Sequence, residues 1–158
     1  MSTQTRLAAL LAVLTPGLLL GGAYIAQYGF GLYPCEMCWW QRYALFVALA
    51  LGVLAWLFRL ARPIIWLAAL AIATSSAIGA YHAGVEYGWW QGVTACTAIA
   101  AASDGNALEA ILNAPVVRCD QAPWALFGVS LAGWNFLFSG AAALAMALLL
   151  TRKPGGSS

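Results

Sequence analysis

The spacing of charged residues constrains the fold of this chain more than any other feature of its sequence. Four apolar stretches between charges have about the 20 residues that a helix needs to cross a hydrocarbon core of roughly 30 Å. They run over residues 7–28, 39–58, 64–83 and 124–150, the second with Arg42 near its start. With 63% hydrophobic and only 8% charged residues, the chain is too apolar for a soluble domain of 158 residues. The sequence therefore predicts an all-α membrane protein, a single four-transmembrane-helix bundle.

The distribution of charge predicts which way the bundle faces, because Lys and Arg near span ends are retained on the cytoplasmic side. In a four-span topology the basic residues beside the spans share one side, namely Arg6, Arg59, Arg62, Arg152 and Lys153. The acidic residues fall on the other side or at its interface, namely Glu36, Glu86, Asp104, Glu109 and Asp120. Both termini are therefore expected in the cytoplasm, with two outward loops at about 29–38 and 84–123 and a disordered tail at 153–158. A net charge of +2 offers no basic surface for nucleic acid.

The first apolar stretch has an alternative interpretation as a cleaved signal peptide. Arg6 precedes it, and small residues follow at Gly21, Gly22 and Ala23. The stretch is longer than the ~7–15 residues of a signal core, however, and no clean A-x-A cleavage site follows it. We therefore treat it as a membrane span.

All four cysteines, Cys35, Cys38, Cys96 and Cys119, fall on the outward side of this topology. An even set of cysteines in an oxidising compartment is expected to pair, and one pair in each outer loop gives Cys35–Cys38 and Cys96–Cys119, with a rearranged resting set as the alternative. The first pair has the two-residue spacing of dithiol redox motifs and precedes a helix that should begin near Trp39. The N–H groups of a helix start favour thiolate over thiol. This pair is therefore a candidate redox centre.

Arg42 lies one helical turn beyond Cys38 on the same predicted face. Its charge favours a thiolate, and a charge at the edge of an otherwise uncharged span is costly and usually functional. The alternative is an anchoring residue that snorkels to the membrane surface.

The cysteines also admit two less reactive interpretations. Cys96 and Cys119 enclose 22 residues, and a structural disulfide there would contribute about 3–4 kcal/mol in the chain-entropy model. Four cysteines can also hold zinc, although structural zinc sites usually have a closely spaced second pair as well. The single histidine, His82, adds no ligand cluster that the sequence reveals. A redox function competes with both interpretations, because two disulfides on one face of a bundle can exchange by thiolate attack.

Two segments carry a resemblance to a known family. The run Pro34–Arg42, PCEMCWWQR, is similar to the P-C-x-x-C-x-x-x-R signature of the DsbB family, the disulfide bond formation proteins B of bacterial inner membranes. The run Cys119–Asn135 resembles the segment that leads into the last span of that family, and the four-span pattern covers nearly the whole chain. Together these features are more specific than the C-x-x-C spacing alone.

The resemblance implies a thiol oxidase in the bacterial inner membrane that uses a quinone, ubiquinone or menaquinone. Cys96 would be attacked by the reactive thiol of a DsbA-like periplasmic thiol oxidase, and the released Cys119 would attack Cys35. Cys38 would then meet the quinone ring, and Arg42 would polarise a quinone oxygen. The family also places a polar residue beside the quinone near His82 and Glu86, but the sequence assigns a role to neither.

Two alternative functions remain open at this point. A vitamin K epoxide reductase-like protein shares the four-helix arrangement and quinone chemistry, but in that family the C-x-x-C follows the loop cysteines, whereas here it precedes them. A structural membrane protein would use the disulfides for stability only, and their reduction potentials would then lie below about −300 mV.

Overall fold

A computed structural model describes four ranges of the chain, residues 2–58, 62–93, 98–99 and 116–152. It is built around the helices α1 (Thr3–Phe30), α2 (Glu36–Leu57), α3 (Arg62–Glu86) and α4 (Leu131–Thr151). Each helix is long and apolar enough to cross a membrane, with a mean hydropathy between 1.4 and 1.9 over 18 residues. The predicted four-span, all-α membrane fold is therefore confirmed. Cys96, much of the predicted second loop and the tail 153–158 lie outside the described residues.

The two ends of the bundle differ in chemistry. Short connections join α1 to α2 and α2 to α3, as expected of antiparallel neighbours. One end, called the arginine end here, carries Arg6, Arg62 and Arg152, and Arg62 hydrogen-bonds the carbonyl of Leu150 in α4. The other end, called the cysteine end, holds a small buried cluster of Cys35, Met37, Val85 and Cys119. The described candidate cysteines are therefore collected at the end opposite Arg6, Arg62 and Arg152.

Helix α2 begins at Glu36, not near Trp39 as the sequence suggested. The reason is that Cys35 itself caps the helix, because its sulfur accepts the backbone N–H of Cys38 at 3.4 Å. Cys38 therefore lies inside the first turn, where unpaired backbone N–H groups are concentrated.

Helix α4 begins at Leu131, whereas the span was predicted to start at Trp124. The intervening residues form a hairpin in which β3 (Ala125–Leu126) pairs antiparallel with β4 (Val129–Ser130). In its turn Phe127 has a φ angle of 53° and Gly128 a φ angle of 77°, and both values are in the left-handed region. Two successive left-handed residues make a hairpin turn and cannot continue a helix. A second small pair, β1 (Ala98–Ile99) with β2 (Val116–Val117), is also antiparallel.

Hydrogen bonds fix this hairpin to the end of α3. The hydroxyl of Tyr87 donates to the Gly128 carbonyl at 2.9 Å and accepts the N–H of Ser130 at 3.1 Å. Ser130 also caps α4, because its side chain accepts the N–H of Gly133 at 3.1 Å. The hairpin therefore holds the first turn of α4 close to the last turn of α3.

Small residues allow the helices to approach closely, as is common in membrane bundles. The core nearest the arginine end is mainly alanine: Ala8, Ala9, Ala12, Ala48, Ala55, Ala68 and Ala69, with Ile65, Ile72, Met146 and Leu150. One close approach is between α1 and α2. A Cβ added to Gly52 would lie 2.5 Å from the carbonyl oxygen of Ala12.

Replacing Gly52 with alanine should therefore destabilise the bundle by about 1–3 kcal/mol, the usual cost of overpacking. The matched control is Gly21→Ala in α1, where a Cβ would meet nothing within 4 Å. Thermal unfolding of the two variants in the same detergent measures the difference. Equal melting temperatures would contradict the close approach of α1 and α2 at this position.

Candidate redox site

Cys35 and Cys38 form the centre of the site. Both are free thiols, and their sulfurs are hydrogen-bonded at 3.1 Å. Cys35 is buried, with 3% of its surface exposed, and Cys38 is partly buried. The spacing of the two cysteines around a helix start thus brings their side chains into direct contact. The predicted Cys35–Cys38 disulfide belongs to the oxidised form and stays a prediction.

The surroundings of Cys35 favour its thiolate. Its pKa is lowered from 9.0 to about 4, chiefly because the Cys38 thiol can donate a hydrogen bond to the Cys35 sulfur. Burial acts in the opposite direction, and a hydrogen bond from His82 lowers the pKa further. At neutral pH the structure therefore holds a nucleophilic sulfur at Cys35, since the thiolate is the reactive form.

The alkylation rate of Cys35 should be independent of pH near neutrality and fall to half at about pH 4, because protonation removes the thiolate as pH decreases through the pKa. Iodoacetamide and peptide mass spectrometry on the reduced protein measure this profile. In the control Cys38→Ala, which lacks the thiol donor, the midpoint should move up towards 9.0. A midpoint near 9.0 in the unmodified protein would contradict the interpretation.

Cys119 brings a further sulfur to this pair. The sulfurs of Cys35 and Cys119 and a ring nitrogen of His82 all lie within 4.8 Å of one another and are buried. Cys119 is disulfide-bonded. A thiolate at Cys35 would therefore face a disulfide sulfur, which is the arrangement that thiol–disulfide exchange requires. The predicted Cys96–Cys119 pairing stays a prediction, because Cys96 lies outside the described residues.

The same three side chains bear on the alternative of a zinc site. Zinc binds thiolates and neutral imidazoles, and its structural sites almost always have four such ligands. The disulfide-bonded sulfur of Cys119 is not a thiolate, so only Cys35 and His82 of this cluster have suitable donor atoms. The disulfide of Cys119 therefore removes one of the three possible metal ligands in this cluster.

His82 links the cysteines to a buried polar network between the helices. Its Nε2 lies 3.5 Å from the Cys35 sulfur, and its Nδ1 lies 3.0 Å from the amide nitrogen of Gln41. Asn135 of α4 donates to Gln41 Oε1 at 2.7 Å and to the Ser75 carbonyl of α3 at 3.2 Å. Three helices therefore hold the imidazole against Cys35.

Glu86 lies one turn beyond His82 on the same face of α3. Its Oε1 is 3.7 Å from His82 Nε2, and its side chain is 2% exposed. The other carboxylate oxygen, Oε2, is buried and has no hydrogen-bond partner among the described residues. Such an oxygen is costly to bury and is therefore notable beside a redox centre.

Arg42 is buried against α1, with 6% of its surface exposed. Its guanidinium donates to Gln27 Oε1 at 2.6 Å and to the Ala23 carbonyl at 3.2 Å. It also lies 4.9 Å from the centre of the Tyr24 ring and 5.2 Å from that of Trp39. The ion pairs found within the described ranges are His82–Glu86 and Arg118–Asp120, so Arg42 forms no ion pair with a described carboxylate. A buried cation held by neutral groups differs from a snorkelling anchor.

Two cavities meet at Cys38. One, of about 300 Å³, is lined at the cysteine end by Cys35, Cys38, His82, Glu86 and by loop residues that include Tyr33 and Arg118. The other, of about 270 Å³, lies among α1, α2 and α4 and is mostly apolar. Its lining includes Cys38, Gln41, Arg42, Trp134 and Asn135, together with Glu86. We call them the loop cavity and the helix cavity, and Cys38 borders both.

The structure thus brings together four of the five residues that the sequence singled out, Cys35, Cys38, Cys119 and Arg42. It adds His82, Glu86, Gln41 and Asn135, to which sequence reasoning gave no role. The signal available for them was polarity inside apolar spans, since such residues usually face the bundle interior and serve a function. The spacing of His82 and Glu86 by four residues also places them on one helix face.

Comparison with known proteins identifies a family and a relative. The sequence model of the family described as disulfide bond formation protein DsbB matches residues 5–149. An uncharacterized protein of Rickettsia prowazekii (strain Madrid E) is 26% identical over 125 residues, which make up 76% of this chain and 73% of that protein. No solved structure matches the chain.

Proposed function

This chain belongs to the DsbB family of disulfide bond formation proteins, and from that premise we propose that it is a protein thiol:quinone oxidoreductase. It takes two electrons and two protons from a DsbA-like periplasmic dithiol and passes them to a membrane quinone. The partner leaves with a disulfide, and the quinone leaves as quinol. The observation that carries the proposal is the position of Cys38, which contacts Cys35 and borders the apolar cavity beside Arg42.

The first half of the reaction uses the cysteines in sequence. A thiolate of the partner attacks the sulfur of Cys96 in a Cys96–Cys119 disulfide, which releases Cys119 as a thiolate. Cys119 then attacks Cys35 in a Cys35–Cys38 disulfide and releases Cys38. The partner's second thiol resolves its bond to Cys96, and the partner leaves with a disulfide. The released Cys96 thiolate then attacks Cys119 in the Cys35–Cys119 disulfide, which restores the Cys96–Cys119 bond and leaves Cys35 and Cys38 reduced. The closeness of the Cys35 and Cys119 sulfurs, within 4.8 Å, supports the exchange between the two pairs.

The helix cavity has the chemistry that a quinone head group requires. Its walls are mostly apolar, as is usual for small-molecule sites, with few polar groups that fix orientation. Cys38 supplies the reducing sulfur, and Arg42 supplies a positive charge at the wall of the same cavity. A bound quinone supplies the two-electron acceptor. The charge of Arg42 then stabilises negative charge as it develops, which is an electrostatic contribution to catalysis.

The orientation of the bundle follows from this proposal. The cysteine end faces the periplasm, where a secreted partner can reach the loop cavity. The arginine end faces the cytoplasm, in agreement with the retention of basic residues on that side. We therefore propose an inner-membrane location with both termini in the cytoplasm.

The proposal is tested with the purified full-length protein, a reduced DsbA-type partner and either ubiquinone or menaquinone. One quinone should be reduced for every two partner thiols that disappear. Cys96→Ser should block oxidation of the partner, while the Cys35–Cys38 pair still exchanges electrons with quinone. The control is the neighbouring conservative change Thr97→Ser. Partner oxidation at the normal rate in Cys96→Ser would show that the second pair serves only stability.

A further inference from the structure

The amide of Gln41 is fixed in orientation by the backbone around it. Its Nε2 lies 3.2 Å from the Met37 carbonyl oxygen. A carbonyl oxygen only accepts hydrogen bonds, so the amide nitrogen and not the amide oxygen of Gln41 must face it. The side chain is buried, with 6% of the residue exposed.

Asn135 fixes the same orientation independently. Its own Nδ2 faces the Ser75 carbonyl at 3.2 Å, which identifies that atom as the nitrogen of the Asn135 amide. The same Nδ2 lies 2.7 Å from the other end of the Gln41 amide. That end must therefore be the acceptor Oε1. Two backbone carbonyls on different helices thus require one orientation of Gln41.

This orientation determines what His82 can do. The Gln41 nitrogen, which is a donor only, lies 3.0 Å from His82 Nδ1. Nδ1 must then hold a lone pair, and a neutral imidazole carries its single proton on Nε2. Nε2 is the nitrogen that lies 3.5 Å from the Cys35 sulfur.

We propose that Gln41 is a positioning residue that keeps the imidazole proton of His82 on Nε2, so that the ring donates a hydrogen bond to the Cys35 thiolate. In the other tautomer a lone pair would face the sulfur, and the thiolate would lose that donor. The importance of this device for turnover depends on the proposed function, whereas the tautomer itself is measured without partner or quinone.

Other groups surround the same imidazole and must be considered with it. A backbone group of Cys119 also hydrogen-bonds His82, and Glu86 Oε1 is 3.7 Å from Nε2. The remaining titratable and charged side chains that face this region across the loop cavity are Tyr33, Cys38 and Arg118. Of the side chains described around the ring, Gln41 is the one that hydrogen-bonds Nδ1.

The direct test is ¹⁵N NMR of the full-length protein labelled at histidine, in detergent micelles. The chain has a single histidine, so the two ring signals belong to His82 without further assignment. We expect Nε2 to be protonated and Nδ1 to be unprotonated. A proton on Nδ1, in the opposite neutral tautomer or in the imidazolium, would overturn the proposal whatever the activity of the protein. The tautomer is measured in the unmodified protein, so this test of the proposal does not require that a Gln41 variant folds.

The effect on Cys35 is tested by the pH profile of its alkylation. Gln41→Leu should raise the midpoint by about one pH unit, because the thiolate loses a fixed donor. The double variant Gln41→Leu/His82→Phe should have the same alkylation midpoint as the single variant His82→Phe, because Gln41 acts through the imidazole. The matched control is Ser139→Ala, at the far end of the network, where Ser139 donates to Asn135 Oδ1 at 3.0 Å. An equal shift with and without His82 would show that Gln41 acts by packing and would overturn its role through the imidazole.

Discussion

Replacing Cys38 with serine should reduce quinone reduction to the uncatalysed background, because no other described cysteine borders the helix cavity. Serine preserves the size of the side chain but cannot form the disulfide that carries the two electrons. Cys35 remains in the variant, so exchange with Cys119 should continue and leave a disulfide between the two loops. Quinone absorbance during a single turnover measures the loss, and non-reducing peptide mapping detects the trapped bond.

The control for Cys38→Ser is Met37→Leu, at the neighbouring buried position in the first turn of α2. It tests whether a disturbance of this turn alone affects electron transfer. Its quinone reduction should remain within a fewfold of normal, since a volume-conserving apolar change is well tolerated. Quinone reduction at the normal rate in Cys38→Ser would contradict the assignment of Cys38 as the electron donor.

Removing the guanidinium of Arg42 should lower quinone affinity and reduction rate by roughly ten- to hundredfold, as expected for a charge-assisted hydrogen bond worth ~1.5–3 kcal/mol. Arg42→Lys should restore only part of the rate. It keeps the charge but loses the planar fork that contacts Gln27 and the Ala23 carbonyl together. Steady-state kinetics over a range of quinone concentrations compare the two variants.

The snorkelling interpretation of Arg42 makes the opposite prediction. An anchoring residue would be replaced fully by lysine, and alanine would affect membrane insertion or thermal stability more than turnover. Insertion and the exchange step at Cys96 are therefore measured in each variant as controls. An unchanged dependence on quinone concentration in Arg42→Ala would refute the catalytic role.

The four-helix fold could be predicted because the length of an apolar stretch is a local property of the sequence. The beginnings of α2 and α4 could not be placed from hydropathy. Cys35 caps α2 through its sulfur, and a hairpin with residues at positive φ occupies the apolar positions before Leu131. Hydropathy does not distinguish an apolar hairpin from the first turns of a helix.

The candidate site could also be predicted only in part. The C-x-x-C spacing and Arg42 lie within one short segment and could be recognised together. The network around His82 depends on contacts between residues far apart in the chain: Gln41 is separated from His82 by 41 positions and from Asn135 by 94. Such contacts follow from helix rotation and packing, which one sequence does not specify.

The shared wall between the two cavities has a consequence for timing. Since Cys38 borders both, the dithiol partner and the quinone of the proposed function need not be bound at the same moment. The reduced cysteine pair can store two electrons after one reactant has departed and before the other arrives, which is the basis of ping-pong kinetics. The cysteine pair would then hold two electrons between the two half-reactions. The rate of partner oxidation could therefore differ briefly from the rate of quinone reduction.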